Sequence, residues 1–497
     1  MQNLVTSEQI KTLEFKVIEK EGVKSSLKLM EKAGVGLTQV LKAYKEPYLF
    51  ICGKGNNGGD GITACRYLIE ASKKVFLFLI SDPSELSDES KHNFEKIKDR
   101  VQYSKILDTN DENFKQALSF ANTIIDCLLG TGANNKQSDL FNWIINQVND
   151  SNKPIIACDL PTGLNPDNGN VQEITIKAKE TVTFGYTKIG LLIYPGKKYV
   201  GTIKTIDIGL PRINTNCFLL DDDFLRSNFP KRDEEDTKNK YGRTLLICGS
   251  KRYPGAALLA SKACASIGSG LTILASPEVV FSKISPVIPE VIQVEFKSKK
   301  ILKESTKSTV LVVGPGLTTE KEIAKLVETI VTKVDVPIVL DADGINIVAK
   351  NKEILKKIKG EIILTPHHKE FARLLNIKVE EVLENKLELI KTTAVKLNCT
   401  VVLKGPGTII ATKDGKVFIS PFANSALAKG GTGDVLSGFI GGLIAQGVKP
   451  YLAACVGVYM HGKIAELIKS DKTVYSLLPQ DLIAYLPTAI QCFLIKE

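Results

Sequence analysis

Short apolar runs that do not alternate with polar residues punctuate both halves of the chain. In the first half they are YLFIC (48–52), KVFLFLI (74–80), NTIIDCLLG (122–130), KPIIACDLP (153–161) and ETVTFGY (180–186). In the second they are RTLLICGS (243–250), GLTILAS (270–276), STVLVVGPG (308–316), VPIVLDADG (336–344), GEIILTPH (360–367) and CTVVLKGPG (399–407). Runs of this kind predict strands covered on both faces, the condition of a parallel sheet with crossover helices. Each is followed by helical periodicity, so the pattern predicts an α/β architecture twice over. The opening MQNLVTSEQIKTLEFKVIEKEG predicts an amphipathic helix begun by Thr6 or Ser7. It is too charged for the core of a signal peptide. No apolar stretch reaches the roughly 18 residues that a transmembrane helix needs.

Between the halves lies DDDFLRSNFPKRDEEDTKNKYGR (221–243), dense in charge and interrupted by Pro230. Strand-and-loop grammar restarts in full at Arg243. The expected domains are therefore residues 1–219 and 220–497. No repeat of solenoid period and no low-complexity tract is present.

Composition narrows the function classes. Hydrophobic residues make up 43% and charged residues 24%, which excludes a disordered or collagen-like chain. The net charge of +10 is spread along the sequence, with no Arg-rich arm and only 7% aromatics. That fits anionic small molecules at least as well as nucleic acid, and the expectation is no nucleic-acid and no membrane partner. Ten cysteines sit mostly inside apolar runs and include no CxxC pair, which reads as reduced, buried thiols in a cytoplasmic protein.

Candidate chemistry gathers at strand ends. CGKGNNGGDG (52–61) follows one strand and opens a helix; its glycines let backbone amides approach an anion, and the helix adds its positive end. It has neither the Walker A nor the Rossmann dinucleotide spacing, and a mere turn does not need Asn56, Asn57 and Asp60 together. Asp126 lies within the strand of DCLLGTG (126–132), and Asp159 ends the strand of ACDLPTGL (157–164). A carboxylate at the carboxyl edge of a parallel sheet lies where such folds bind ligands. TFGYTKIGLL (183–192) adds Lys188, which as a lone lysine reads as a solvated surface residue and is the next acid–base candidate after Asp159. In the second half, ALAKGGTGDVLSGFIGGLIAQG (426–447) turns on Gly-Gly-Thr-Gly-Asp into a long apolar helix. Its first amides form an anion hole, and Asp434 stands in the first turn. That combination reads as phosphoryl transfer, with Asp434 accepting a proton from the attacking hydroxyl. His367 and His368 are adjacent, so their side chains point apart, and no other His or Cys pair lies at ligand spacing; a zinc site is not expected. His367 is the better ligand contact and His368 a packing or solvated residue.

The first-half loops together resemble the NAD(P)H-hydrate epimerase family, whose Rossmann-like domain carries NNGGDG in its first loop. The likeness covers roughly residues 1–215 and includes LMEKAG (29–34) and IKTIDIGLP (203–211). It implies that Asn56, Asn57, Gly58, Gly59 and Asp60, with Gly130, Thr131, Gly132, Ala133, Asn134, Asn135 and Lys136, line a hydrated nicotinamide nucleotide. It implies Asp159 near the reacting carbon and a potassium ion on Asn57, Asp126 and Thr162. The family more often has Ser where Thr162 stands; the hydroxyl and the backbone carbonyl survive that change.

The second half resembles NAD(P)H-hydrate dehydratases of the ribokinase-like superfamily. The motifs are KNKYGRTLLICGS (238–250), YPGAALLASKAC (253–264), VVGPGL (312–317), LDADGIN (340–346), LTPHHKEFARLL (364–375) and VVLKGPGTII (401–410), in the family's order. The resemblance implies Ala256, Gly316 and His367 at the hydrated nucleotide, and Lys404, Gly405, Pro406, Gly407, Thr408 and Gly433 at ADP or ATP. It places Asp434 at the reacting hydroxyl and magnesium with the nucleotide. The family often has a further Gly after GPGL, where this chain has Thr318 and Thr319. Taken together, the resemblances imply one chain that epimerises the R and S hydrates of NADH and NADPH and dehydrates the S form at the expense of ADP or ATP. Fused chains resemble bacterial and archaeal members, which implies ADP, and both families form homo-oligomers. The rival readings are a small-molecule kinase of the ribokinase-like class and a first domain that only binds nucleotides or proteins.

Overall fold

A computed structural model of the chain describes residues 1–22, 24–130 and 138–494. The chain divides into two compact units, Asn3–Thr215 and Asn216–Glu497, the latter taking in Met1–Gln2. Among the described residues no helix is long and apolar enough to cross a membrane.

The first unit is built on seven parallel strands in the order Gln102–Lys105, Val75–Leu79, Tyr48–Cys52, Thr123–Cys127, Ile155–Cys158, Glu180–Phe184 and Thr202–Ile206. The order reverses between Tyr48–Cys52 and Thr123–Cys127, the crevice at which doubly wound sheets bind ligands. These two strands and Ile155–Cys158 are buried along their whole length, as their unbroken apolar runs predict. Gln102–Lys105, read from sequence as no strand at all, is a mostly exposed edge, so it has no reason to carry an apolar run. The N-terminal helix Ser7–Glu21 is capped by Thr6, which pairs with Gln9 in a capping box. Just before it, Leu4 and Val5 pair in parallel with Thr187 and Lys188.

The second unit holds seven parallel strands in the order Ile292–Glu295, Leu271–Ser276, Arg243–Ile247, Val310–Val313, Ile338–Leu340, Ile362–Leu364 and Thr400–Leu403. Two short antiparallel strands, Ile409–Ala411 and Val417–Ile419, extend the sheet. Cys217–Leu219 then joins Val417–Ile419 in parallel. The expected division at 219/220 therefore falls at the end of a strand of this second sheet. The charge-dense stretch after it begins with the helix Asp222–Asn228, whose Phe224 and Leu225 enter the second unit's core.

The helix Thr432–Ala445 packs on Pro254–Ile267 and on the sheet. A methyl group at Gly438 would lie 2.3 Å from the Ala260 carbonyl oxygen, and one at Gly441 2.4 Å from Val312. The SGFIGG segment thus lets this helix sit closer to its neighbours than side chains allow, which fixes where its N-terminus points. All ten cysteines are free, and all but Cys492 are buried.

Candidate functional sites

In the first unit, a cavity of about 700 Å³ opens at the strand-order reversal. Asn56, Asn57, Asp60, Gly130, Asp159 and Lys188 all line it, and the N-terminal helix contributes Ile10, Lys11, Glu14 and Ile18. Gly58 and Gly59 are not among the lining residues. They sit against packed protein, where a methyl at Gly58 would meet the Gly53 carbonyl oxygen at 1.9 Å. The segment Thr131 to Lys136 lies outside the described residues.

Asp159 adopts a left-handed backbone, φ 65°, which is uncommon for a residue with a side chain and turns the carboxyl out of its strand. Its Oδ1 accepts from Lys188 Nζ at 2.5 Å, from Thr183 Oγ1 at 3.1 Å and from the Phe184 amide at 3.5 Å. Lys188 is 1% exposed, so it is not the solvated surface lysine that its isolation in the sequence suggests: the strand order buries it against Asp159. Burial, reinforced by the charges of Asp159 and Glu14 against that of Lys188, pushes the Asp60 carboxyl well above the usual range. Burial likewise raises Glu14. Two carboxyls that favour their protons thus share a cavity with an ion pair.

Behind this wall, Asp126 is buried and accepts from the Thr162 hydroxyl at 2.7 Å, the Thr162 amide at 2.8 Å and the Leu128 amide at 3.2 Å. Burial pushes it up to about 6, against the pull of those donors. No lysine or arginine bonds to it among the described residues. Asn57 is buried, and neither its amide oxygen nor its amide nitrogen has a hydrogen-bond partner among the described residues. A buried amide left without partners costs about 1–3 kcal/mol, so it points to a ligand. Carboxylate, hydroxyl and amide oxygens make a hard donor set, suited to a cation such as potassium rather than to a soft metal.

In the second unit, the carboxyl edge of the sheet gathers the site. Asp341 follows the strand Ile338–Leu340 and is 1% exposed. Its Oδ1 accepts from Lys404 Nζ at 2.6 Å and Thr365 Oγ1 at 2.8 Å, and its Oδ2 from Ser437 Oγ at 2.7 Å. Burial works against the Lys404 charge, yet Asp341 and Glu370 outweigh it and lift the amine above the ordinary lysine range. Gly433, in the first turn of Thr432–Ala445, leaves room here: a methyl on it would stand 3.3 Å from Lys404 Nζ. Asp434 is next. Burial first, then the Asp341 charge, pushes its carboxyl up to about 7 against Lys404.

The turn Gly405 to Thr408 follows Lys404 and closes on itself, Thr408 Oγ1 donating to the Gly405 carbonyl at 3.1 Å. His367 caps the helix His368–Leu375: its Nδ1 accepts from the amides of Lys369 and Glu370 at 3.1 and 3.2 Å. That leaves Nε2 as the nitrogen carrying hydrogen, half-exposed beside Glu370 at 3.4 Å. His368 packs on Gly405, and burial pushes it down to about 4. Ala256 meets Gly316, where an added methyl would come within 2.7 Å of the Ala256 side chain. Gly316 follows Val310–Val313, the strand next to the one bearing Asp341.

Sequence reasoning left out Asp341, Thr365, Ser437 and Glu14. Asp341 carried a usable signal, since LDADG ends a buried strand in an aspartate as IIACD does. Ser437 and Glu14 carried none. One sits inside a helix and the other on a helix whose docking the sequence does not specify.

Comparison with known proteins adds to this geometry. A family model described as NAD(P)H-hydrate dehydratase matches residues 244–488, and one described as YjeF-related protein N-terminus matches residues 26–190. The chain is 32% identical over 513 residues to the bifunctional NAD(P)H-hydrate repair enzyme Nnr of Moorella thermoacetica, across 98% of this chain and 96% of that one. The enzyme of the same description from Thermofilum pendens is 32% identical over 504 residues, across 97% and 95%. Among solved structures, the ADP/ATP-dependent NAD(P)H-hydrate dehydratase of Bacillus subtilis, co-crystallised with ATP and Mg²⁺, is 34% identical with a TM-score of 0.50. That match covers 56% of this chain and 100% of that one.

Proposed function

The chain belongs to the bifunctional NAD(P)H-hydrate repair enzyme family, and from that premise we propose how its two units divide the work. Residues 3–215 interconvert the R and S hydrates of NADH and NADPH. Residues 216–497 dehydrate the S hydrate with ADP or ATP. The observation that carries the reading is Asp434, lifted to about 7 in the first turn of a glycine-opened helix beside the Lys404–Asp341 pair.

A carboxylate at that place accepts the proton of the hydrate's hydroxyl as its oxygen attacks the terminal phosphorus of the nucleotide. Helix amides and Lys404 receive the charge that gathers on the phosphoryl oxygens. Hydroxide is a poor leaving group and phosphate a good one. The ring nitrogen's electron pair expels the phosphate, and loss of a proton from the neighbouring ring carbon restores the conjugated ring. With ADP the products are AMP, phosphate and NADH or NADPH. Magnesium bound with the nucleotide supplies further positive charge at the phosphates. Gly405, Pro406, Gly407 and Thr408 would hold the nucleotide alongside Lys404 and Gly433. Ala256, Gly316 and His367 would hold the hydrate.

In the first unit, Asp159 exchanges protons with the hydrate near the reacting carbon, while Asn56, Asn57, Asp60 and Gly130 hold the nucleotide. Asn57, Asp126 and Thr162 would hold potassium, whose charge positions anionic groups. The chain acts as a homo-oligomer in the cytoplasm, on small molecules and without nucleic acid or membrane.

The test is absorbance at 340 nm when mixed R and S hydrates of NADPH meet the protein with magnesium and ADP or ATP. Full recovery of NADPH is expected. Recovery of the S share alone overturns the assignment of the first unit. A stable phosphorylated product without absorbance makes the second unit a small-molecule kinase.

A further inference from the structure

Lys188 has no part in the chemistry described so far, yet it is one of the largest fully buried side chains of the molecule. Burying an ion pair is no aid to stability by itself, because the desolvation of both charges offsets their attraction and apolar residues of the same size pack as well. What distinguishes this lysine is where its hydrogens go. Nζ donates to Asp159 Oδ1 at 2.5 Å, Thr183 Oγ1 at 3.0 Å and the Phe184 carbonyl at 3.0 Å. An ammonium has three hydrogens, and three acceptors meet them. Thr183 passes its own hydrogen on to the same Asp159 oxygen. The Phe184 amide points there too. Three donors therefore converge on Oδ1, while Oδ2 has no hydrogen-bond partner among the described residues and Asp159 lines the cavity.

We propose that Lys188 is a positioning residue of the first site: it locks the Asp159 carboxylate by Oδ1, so that Oδ2 is the atom offered to the ligand. The inference rests on the reading of Asp159 as the acid–base group. The surroundings make the lysine necessary. Glu14 and Lys11 approach from the N-terminal helix, Asp60 from the helix Asn56–Glu70, and Lys54, Glu85 and Glu89 line the same cavity. Of the cations among the described residues, Lys188 is the one bonded to Asp159. Without it Asp159 would stand in a cavity shared with Asp60 and Glu14, with no cation bonded to it among the described residues. The pair is also held from behind, because Val5 of the N-terminal strand is in register with Lys188.

The experiment compares Lys188→Met, Thr183→Val and Asp159→Ala in the full chain, with mixed NADPH hydrates, magnesium and ADP, the R share being followed at 340 nm. Dehydration of pure S hydrate supplies the control for the second unit. For Lys188→Met, kcat for R conversion is expected to fall about 100-fold or more with KM within about threefold, and the acid limb of the pH–rate profile to move to higher pH. Combining Lys188→Met with Asp159→Ala should cost no more than Asp159→Ala alone. Thr183→Val removes one Oδ1 donor and leaves the charge, so a smaller loss of kcat is expected. It carries the test if Lys188→Met does not fold. Unchanged kcat with an unmoved acid limb in Lys188→Met, unchanged kcat in Thr183→Val, or additive losses in the double variant overturn the proposal. If Asp159→Ala still converts R hydrate, the reading of Asp159 itself is wrong, whatever Lys188 does.

Discussion

Lys404 and Asp341 meet at 2.6 Å across 63 residues of sequence. Asp341 accepts from Lys404, Thr365 and Ser437, whereas Lys404 donates one of its three hydrogens to it and has no other side-chain hydrogen-bond partner among the described residues. The pair therefore delivers a fixed, oriented cation to the mouth of the helix that carries Asp434.

Replacing Asp434 by Asn keeps the shape of that mouth and removes the proton acceptor. Dehydration of S hydrate should fall about 100- to 10,000-fold, the usual loss for a general base. Nucleotide affinity, measured by calorimetric titration, should stay nearly the same. Near-normal turnover would mean that the hydroxyl proton leaves by another route.

The same carboxyl sets a pH dependence. Asp434 holds its proton to about 7 and must be ionised to accept one. Dehydratase kcat/KM on pure S hydrate should therefore rise with pH through about 7 and level off above it. A profile flat from about pH 6 to 8 would exclude Asp434 as the base.

If Asn57, Asp126 and Thr162 hold a cation, Asp126 should make the stability of the first unit depend on it. Its folded-state value of about 6 lies above the ordinary 3.8. The folded state therefore binds the proton more tightly, and without a cation stability is lost as pH rises from about 4 to about 6. The loss is on the order of 3 kcal/mol. Potassium should raise the melting temperature of the first unit at pH 7 and much less at pH 4.5, with choline as the control salt. Equal melting in both salts at pH 7 would remove Asn57, Asp126 and Thr162 as a cation site.

The two units should work apart when the chain is cut between Thr215 and Asn216. A fragment starting at Asn216 keeps Cys217–Leu219, including Phe218 stacked on Phe418 with ring centres 5.4 Å apart. It should melt several degrees above one starting at Leu220, as loss of a few kcal/mol implies for a unit of this size. Identical melting curves would show that the strand adds nothing.

In Asp159→Ala a mixture of hydrates should show an early fast phase as S is consumed. R would then disappear only at its spontaneous rate. Clearance of the whole mixture at the parent rate would make Asp159 structural.

The local grammar of the sequence determined the two sheets and the loops that end their strands. Buried parallel strands must be apolar on both faces, so YLFIC, IIAC or VLVV can hardly be anything else. Glycine turns and terminal aspartates such as Asp159 and Asp434 are dictated by the chain within a few residues of themselves. Edge strands such as Gln102–Lys105 escaped because exposure removes the apolar signal. The alliances between distant groups were decided only by the tertiary structure. Lys188 reads as a lone lysine until strand order sets it against Asp159, and Ser437 as a helix residue until the glycines of its helix press it toward Asp341. Glu14 enters the first cavity only because the N-terminal helix docks there. Which charge neutralises which depends on sheet order and helix packing, and these are fixed by the burial of the whole unit rather than by any segment's own residues.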